Sequence, residues 1–379
     1  MPEAALPRRV LCVFGTRPDA VKMAPVVRAL MARPAEFTTR VLVTGQHREQ
    51  LDQVLRVFGI SPDADLAVMQ PGQSLAAITT RVLEGVDVDL TRYPQDICLA
   101  QGDTTTTFSA ALAAFYHKVP FGHVEAGLRT GEFYDPFPEE LNRRLAGALA
   151  TWHFAPTELA VKNLLAEGVR QEAIFLTGNT SIDALHMVPD GEADLQLQTW
   201  SAQGRRLVLV TAHRRENWGE PMARIARAIA RLAASRDDCE IVVAMHLNPV
   251  VRGTLTSILT GLPHVHLIEP PDYAPFVQLM RHASLILTDS GGVQEEAPSF
   301  GVPILVLRKT TERAEGVSAG TARLVGTDTE EIVRWASLLL DNPEEWSAMA
   351  HASNPYGDGT AAQQIVEILA CTDTGRCAE

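Results

Sequence analysis

Basic and hydrogen-bonding side chains crowd one short stretch, TAHRREN at residues 211–217, directly behind the apolar run RLVLV. A histidine, arginines and an asparagine placed where a buried strand surfaces are equipment for holding an anion. The chain as a whole carries a formal net charge of −13, so an anionic ligand must be met by a local cluster rather than by a general field. LTDSGGVQEEAP (287–298) supplies a second element. Ser290, Gly291 and Gly292 lie where a strand gives way to a helix, and bare backbone N–H groups there can approach a diphosphate. Glu295 and Glu296 follow within the first helical turns. A carboxylate beside a phosphate repels it, so at least one of the two must serve another group, and a ribose diol is the natural partner. Arg17 and Lys22 in FGTRPDAVK offer two more cations at a helix start. Asp103 in QGDTTTT, Glu125 in HVEAGLRTG and Glu139 in PFPEELNRR form an acidic set in the first half. Carboxylates there, with a diphosphate site in the second half, suggest chemistry at a sugar carbon next to a nucleotide leaving group.

These residues need strands and helices to hold them. Short apolar runs (RVLCVF, TTRVLVTG, DICLAQGD, VPFGHVEAG, TWHFAPT, AIFLTGN) alternate with helical patterns through the first half. The rhythm resumes with RLVLVTAH, a helix across 220–235, then EIVVAMH, HVHLIEP, ASLILTD and VPILVL. Continuous apolar strands separated by helices predict parallel sheets covered on both faces. The fold class expected is α/β, with two doubly wound, Rossmann-like domains facing across a cleft. The expected divisions are 1–185, a polar linker over 186–205, 206–355, and a C-terminal helix and tail over 356–379, for which either domain offers a packing surface. In open parallel sheets, ligands bind beyond the carboxyl ends of the strands. GTR, GQH, QGD, HVEAG, AHRREN, AMH and TDSGG all occupy such ends. Plain polar turns would account for one or two of them, not for seven.

Composition narrows the functions. With 33 basic against 46 acidic residues, broad binding to nucleic acid or to an anionic membrane is not expected. No apolar run approaches the roughly 18 residues that span a bilayer. Five scattered cysteines without C-x-x-C spacing suit a reducing cytoplasm and no zinc site. FGTRPDAVK lacks the G-x-G-x-x-G pattern, which argues against a nicotinamide cofactor.

GTRPDAVKMAPV, TGQHREQLDQVL, QGDTTTT, HVEAGLRTG, FPEELNRR, GNTSIDAL, AHRREN, MHLNP and TDSGGVQEEAPSFGVPILVLRKTTERAE closely resemble the non-hydrolysing UDP-N-acetylglucosamine 2-epimerases. The resemblance runs from about residue 9 to 370. It implies a two-domain fold of the GT-B glycosyltransferase type, a homodimer, and interconversion of UDP-N-acetylglucosamine and UDP-N-acetylmannosamine without metal or nicotinamide. By matching motif, nucleotide contacts are expected at Arg17, Lys22, His213, Phe276, Ser290, Gly291, Gly292, Glu296 and Arg313. Catalytic groups are expected at Asp103, Glu125 and Glu139, with Arg143 and His213 beside them. The resemblance also implies a regulatory UDP-N-acetylglucosamine site, with Gln46, Glu140, Arg214 and His246 as its candidates. Two positions depart from relatives: Pro271 stands where a polar side chain is common, and Gly72 where some carry arginine.

The chemistry asks for such groups. The proton on sugar C2 is not next to a carbonyl, so direct removal is out of reach at neutral pH. Ionising the anomeric C–O bond first makes C1 cationic and C2–H acidic, and a glycal forms as UDP leaves. A hydrolysing epimerase and a glycosyltransferase of the same fold are the enzymatic alternatives. A nucleotide-sugar sensor is the non-catalytic one, disfavoured because it needs no acidic set at the sugar.

Overall fold

Runs rich in valine, leucine and isoleucine become buried parallel strands in both halves of the chain. The computed structural model describes residues 6–45, 48–70, 72–134, 136–188 and 195–372. Two compact units divide it: Met1–Met187 with Tyr356–Glu379, and Val188–Pro355.

The first unit holds β1 (Arg8–Phe14), β2 (Phe37–Val43), β3 (Ala64–Asp65), β4 (Ile97–Gln101), β5 (Phe121–Val124), β6 (Trp152–Ala155) and β7 (Ile174–Leu176). They form a 7-stranded sheet in the order β3-β2-β1-β4-β5-β6-β7. The second unit holds β8 (Arg206–Thr211), β9 (Cys239–Ala244), β10 (Val265–Ile268), β11 (Ala283–Thr288), β12 (Ile304–Val306) and β13 (Ala322–Leu324). Its 6-stranded sheet runs β10-β9-β8-β11-β12-β13. Every pairing in both sheets is parallel. Leu11, Val13, Leu42, Cys98 and Phe121 pack with helix residues Val82, Val86 and Ala110 in one core, and Val208, Val210, Ile241 and Leu287 pack with Ile225 and Ile229 in the other. Apolar side chains cover both faces, which is why these strands read as unbroken hydrophobic runs rather than alternating ones.

Both sheets reverse their winding direction once. The first does so between β1 and β4, the second between β8 and β11. At such a switch point the two following loops part to opposite faces and leave a crevice at the strand ends. Register places Val13 opposite Ala100 in one sheet and Thr211 opposite Thr288 in the other. GTRP and QGD therefore leave their sheet side by side, as do TAHRREN and DSGG.

Local chemistry starts the helices where the sites need them. Thr16 caps the helix Arg17–Met31 in a capping box with Asp19, and a proline stands in its first turn. Gly15 must be bare, because a Cβ would collide with the Thr44 and Thr106 hydroxyls. The last helix, Ala361–Cys371, packs on helices Arg17–Met31 and Thr180–Met187, and Ala362 N–H donates to Asp183 at 2.8 Å. The polar stretch 186–205 is not all connection: a helix spans Leu195–Ala202. Leu197 is buried there, and the Trp200 ring lies 4.5 Å from that of His266. Those widely spaced apolar residues are easily overlooked in so polar a context. Among the described residues, no helix is long and apolar enough to cross a membrane.

Candidate active site

In the first unit's acidic set, Asp103 and Glu125 lie just beyond strand ends and Glu139 lies at a helix start. Asp103 follows β4 through Gly102, whose φ of 76° takes the chain into the left-handed region. His123, buried on β5, donates from Nε2 to the Gly102 carbonyl at 2.7 Å. Burial pushes His123 down to about 3, so it is a neutral, fixed donor at physiological pH. Thr104, not Asp103, caps the helix Thr105–Tyr116. Asp103 is left to ion-pair with Arg143, while its carbonyl accepts from Asn142 Nδ2 at 3.0 Å.

Glu125 leaves β5 with φ 62°, a conformation non-glycine residues rarely adopt and one found often at functional sites. Its carboxylate is 8% exposed as a residue and meets the Lys22 ammonium, the Gln101 amide and, at 3.3 Å, Asn179 Nδ2. Lys22 is therefore no solvated helix lysine. Glu139 opens the helix Glu139–Leu149. Burial raises its carboxyl above the usual range, and the nearby Asp103 charge adds to that. Asp103 and Glu125 thus ion-pair with cations, whereas at Glu139 burial outweighs the opposing charge of Arg143. Carboxyl groups in contrasting environments can divide proton removal from proton donation.

Glu140 and Arg143, one turn apart, join this set. Glu140 is fully buried, accepting from Thr130 N–H at 3.1 Å, Arg143 Nη1 at 3.2 Å and Arg144 Nε at 3.0 Å. Arg143 accordingly bridges Glu140 and Asp103. Arg17 is the first residue of its helix and half-buried.

In the second unit, His213 and Arg214 leave β8 beside Asp289, which leaves β11. Asp289 is fully buried and accepts from His213 N–H at 2.9 Å, Arg214 N–H at 3.0 Å and Asn217 Nδ2 at 2.9 Å. His213 Nδ1 lies 3.3 Å from Asp289 Oδ1, and its ring stacks on His246 with centroids 5.4 Å apart. Burial lowers the His213 pKa; Asp289 opposes this, while His246 and Arg214 reinforce it. Arg214 is not the free cation its place in the motif suggests: Nε donates to the Asp289 carbonyl at 3.3 Å and Nη1 lies 3.8 Å from Glu312.

Ser290 precedes the short helix Gly291–Glu296, which Glu296 ends. Arg313 Nε donates to Glu295 at 2.9 Å. A Cβ on Gly291 would come within 2.9 Å of the Arg313 Cζ, so the glycine makes room for the guanidinium. Thr311 donates to Gln294 at 2.8 Å and accepts from Arg313 N–H at 3.1 Å, which ties this loop to the helix. Phe276 lies half-buried on the helix Tyr273–His282. Gln46 lies outside the described residues.

Several participants escaped sequence reasoning. Gln101 and Asn179 hold Glu125 from two other strand ends, and Asp289 organises the TAHRREN loop. Glu312 gathers Arg308 at 2.6 Å, Arg214 and Arg313; burial opposes its ionisation, but Arg308 and Arg313 hold it down to about 2. A polar residue as the last of a strand, or the first beyond it, was the available signal for Gln101 and Asp289.

Two doubly wound parallel sheets with polar groups collected at each switch point define a two-unit α/β protein of the GT-B type. A family model for UDP-N-acetylglucosamine 2-epimerase matches residues 28–370, and the chain belongs to that family. It is 53% identical over 369 residues to the UDP-N-acetylglucosamine 2-epimerase of Escherichia coli strain K12, covering 95% of this chain and 98% of the relative. The crystal structure of the Neisseria meningitidis enzyme bound to UDP-GlcNAc superposes with a TM-score of 0.87 at 48% identity, over 96% of this chain and 100% of that one. The Methanocaldococcus jannaschii enzyme in complex with UDP-GlcNAc and UDP gives 0.80 at 31% identity, over 96% and 100%.

Proposed function

We propose that this chain reversibly interconverts UDP-N-acetylglucosamine and UDP-N-acetylmannosamine without net hydrolysis, by expelling UDP, passing through a glycal and adding UDP back. The observation that carries the reading is the contrast within the acidic set: Asp103 and Glu125 face cations while burial raises Glu139. Anomeric ionisation comes first. Arg17, Lys22, His213, Arg313 and the Ser290–Gly292 backbone are assigned to the diphosphate, where negative charge develops. Glu296 is assigned to the ribose and Phe276 to the uracil side. Asp103, Glu125 and Glu139 are assigned to the cationic sugar and to the C2 proton, with Arg143 holding Asp103. Lys22 contacts Glu125, so it sets the charge of that carboxylate as well. No metal or nicotinamide takes part. That relatives were crystallised with UDP-GlcNAc supports the substrate assignment.

The reading includes a cytoplasmic homodimer that supplies polysaccharide synthesis. Exposed Val88, Phe115 and Tyr116 give the first unit an apolar surface suited to a second copy. It also includes regulation by a second UDP-N-acetylglucosamine at Gln46, Arg214 and His246. Glu140, being fully buried, acts there through Arg143.

Chelator-treated protein without NAD is to be given each epimer separately, with the anomeric and acetyl NMR signals followed. UDP-N-acetylglucosamine should yield a mixture containing UDP-N-acetylmannosamine. UDP-N-acetylmannosamine alone should react slowly until a trace of the other epimer is added. Accumulation of free N-acetylmannosamine with UDP would favour the hydrolysing alternative, and loss of activity restored by a divalent ion would overturn the metal-free reading.

A further inference from the structure

We propose that Asp289 is a positioning residue for His213. It fixes the imidazole with Nδ1–H toward its own carboxylate, so that Nε2 is the nitrogen presented to the diphosphate and the one that gains a proton when the phosphate binds. This rests on the assignment of His213 to the diphosphate.

The geometry lies across the switch point of the second sheet. Thr211 and Thr288, the last residues of β8 and β11, face each other with their hydroxyls 2.6 Å apart, and Asp289 N–H donates to the Thr211 carbonyl at 3.2 Å. Asp289 therefore enters the loop after β8 at a fixed height. Its oxygens accept from two consecutive backbone N–H groups, those of His213 and Arg214, and from Asn217 Nδ2, which also donates to the Leu307 carbonyl beyond β12 at 3.1 Å. Asp289 and Asn217 together thus join the loops leaving three neighbouring strands. Asp289 Oδ1 lies 3.3 Å from His213 Nδ1, within ion-pair reach, and a carboxylate only accepts, so a proton on Nδ1 is the arrangement this contact favours. The partner at one imidazole nitrogen decides which of the two nitrogens carries the in-plane lone pair.

The groups facing the ring give this tautomer its use. Asp289 lies on one edge, the His246 ring stacks on its face, and Arg214 is the adjacent residue on the loop. His246 Nδ1 accepts from Asn248 N–H at 3.1 Å, so at neutral charge its proton sits on Nε2. Burial, His246 and Arg214 disfavour an imidazolium before a phosphate binds. A diphosphate adds negative charge at Nε2 and reverses that balance, and Asp289 already stands where the second N–H of the cation points. The proton is taken from solvent on binding and is returned when the phosphate leaves.

Long-range proton–nitrogen NMR on uniformly labelled protein, with the His213 signals assigned by a His213→Asn variant, reads the tautomer directly. The wild type should show His213 with Nδ1 protonated and Nε2 bare, changing to doubly protonated on addition of UDP. Asp289→Asn should mix the tautomers, move the His213 titration to lower pH and reduce kcat roughly 10-fold or more, the scale on which orienting partners of functional histidines matter. Two results would overturn the proposal: an Nε2–H tautomer in the wild type, or an Asp289→Asn protein that loses activity with the His213 tautomer and titration unchanged. The wild-type spectrum decides even if the variant does not fold. Neither spectrum depends on turnover, so failure of the epimerase reading would appear separately as UDP-N-acetylglucosamine left unconverted by wild type.

Discussion

Asp103→Asn and Glu125→Gln should each fold and bind UDP yet lose turnover by roughly 10²-fold or more, the usual scale for groups that move protons in a transition state. Both substitutions keep volume and remove charge. Asp103 is paired with Arg143 and Glu125 with Lys22, so each variant leaves a cation behind where the sugar should become positive. That penalty falls on the oxocarbenium-like state, a centre that UDP alone does not contain. The loss should therefore appear in kcat with little change in the dissociation constant of UDP, measured by calorimetry. Turnover within a few-fold of wild type in either variant would remove that carboxylate from the chemistry. Glu125→Gln carries a second mark: Gln101 and Asn179 donate to the native carboxylate, and an amide can accept from only one side.

Arg313→Ala should lower kcat/KM by about 10²–10³-fold, the range seen when a group stabilising developing negative charge is removed. Arg313 is braced by Glu295 at 2.9 Å and by the Thr311–Gln294 link, so its guanidinium is held in place before substrate arrives. Gly291→Ala tests the same point without touching the charge. Its Cβ would press on the Arg313 Cζ, and the activity should fall in the same direction, though less. Full activity in Arg313→Ala would mean that the diphosphate is neutralised elsewhere.

The contrast between strands and side chains shows how far the sequence is legible. Unbroken apolar runs such as RVLCVF and RLVLV announce buried parallel strands, because only a sheet covered on both faces tolerates them. Polar residues at the ends of those runs then announce where ligands go, and Asp103, Glu125, His213 and Ser290 all lie at or beside strand ends. Pairings across strands are less legible. Nothing in FGTRPDAVK says that Lys22 meets Glu125, 103 positions away, nor that Asn217 reaches Asp289, 72 positions on. Those contacts depend on strand order, with β4 beside β1 and β11 beside β8, which periodicity does not encode. The helix Leu195–Ala202 is lost for a different reason: its few apolar residues are diluted by polar neighbours and carry no clear amphipathic rhythm.

In the proposed reaction, C2 changes configuration through loss and return of its proton after UDP has left. Turnover of UDP-N-acetylglucosamine in deuterium oxide, with C2 followed by NMR from the first product onward, tests it most directly. Every molecule of UDP-N-acetylmannosamine formed should carry deuterium at C2, and deuterium should enter the recovered substrate as re-addition runs backward. Product that retains its original C2 hydrogen would contradict the elimination route and, with it, the part of Asp103, Glu125 and Glu139 in moving that proton.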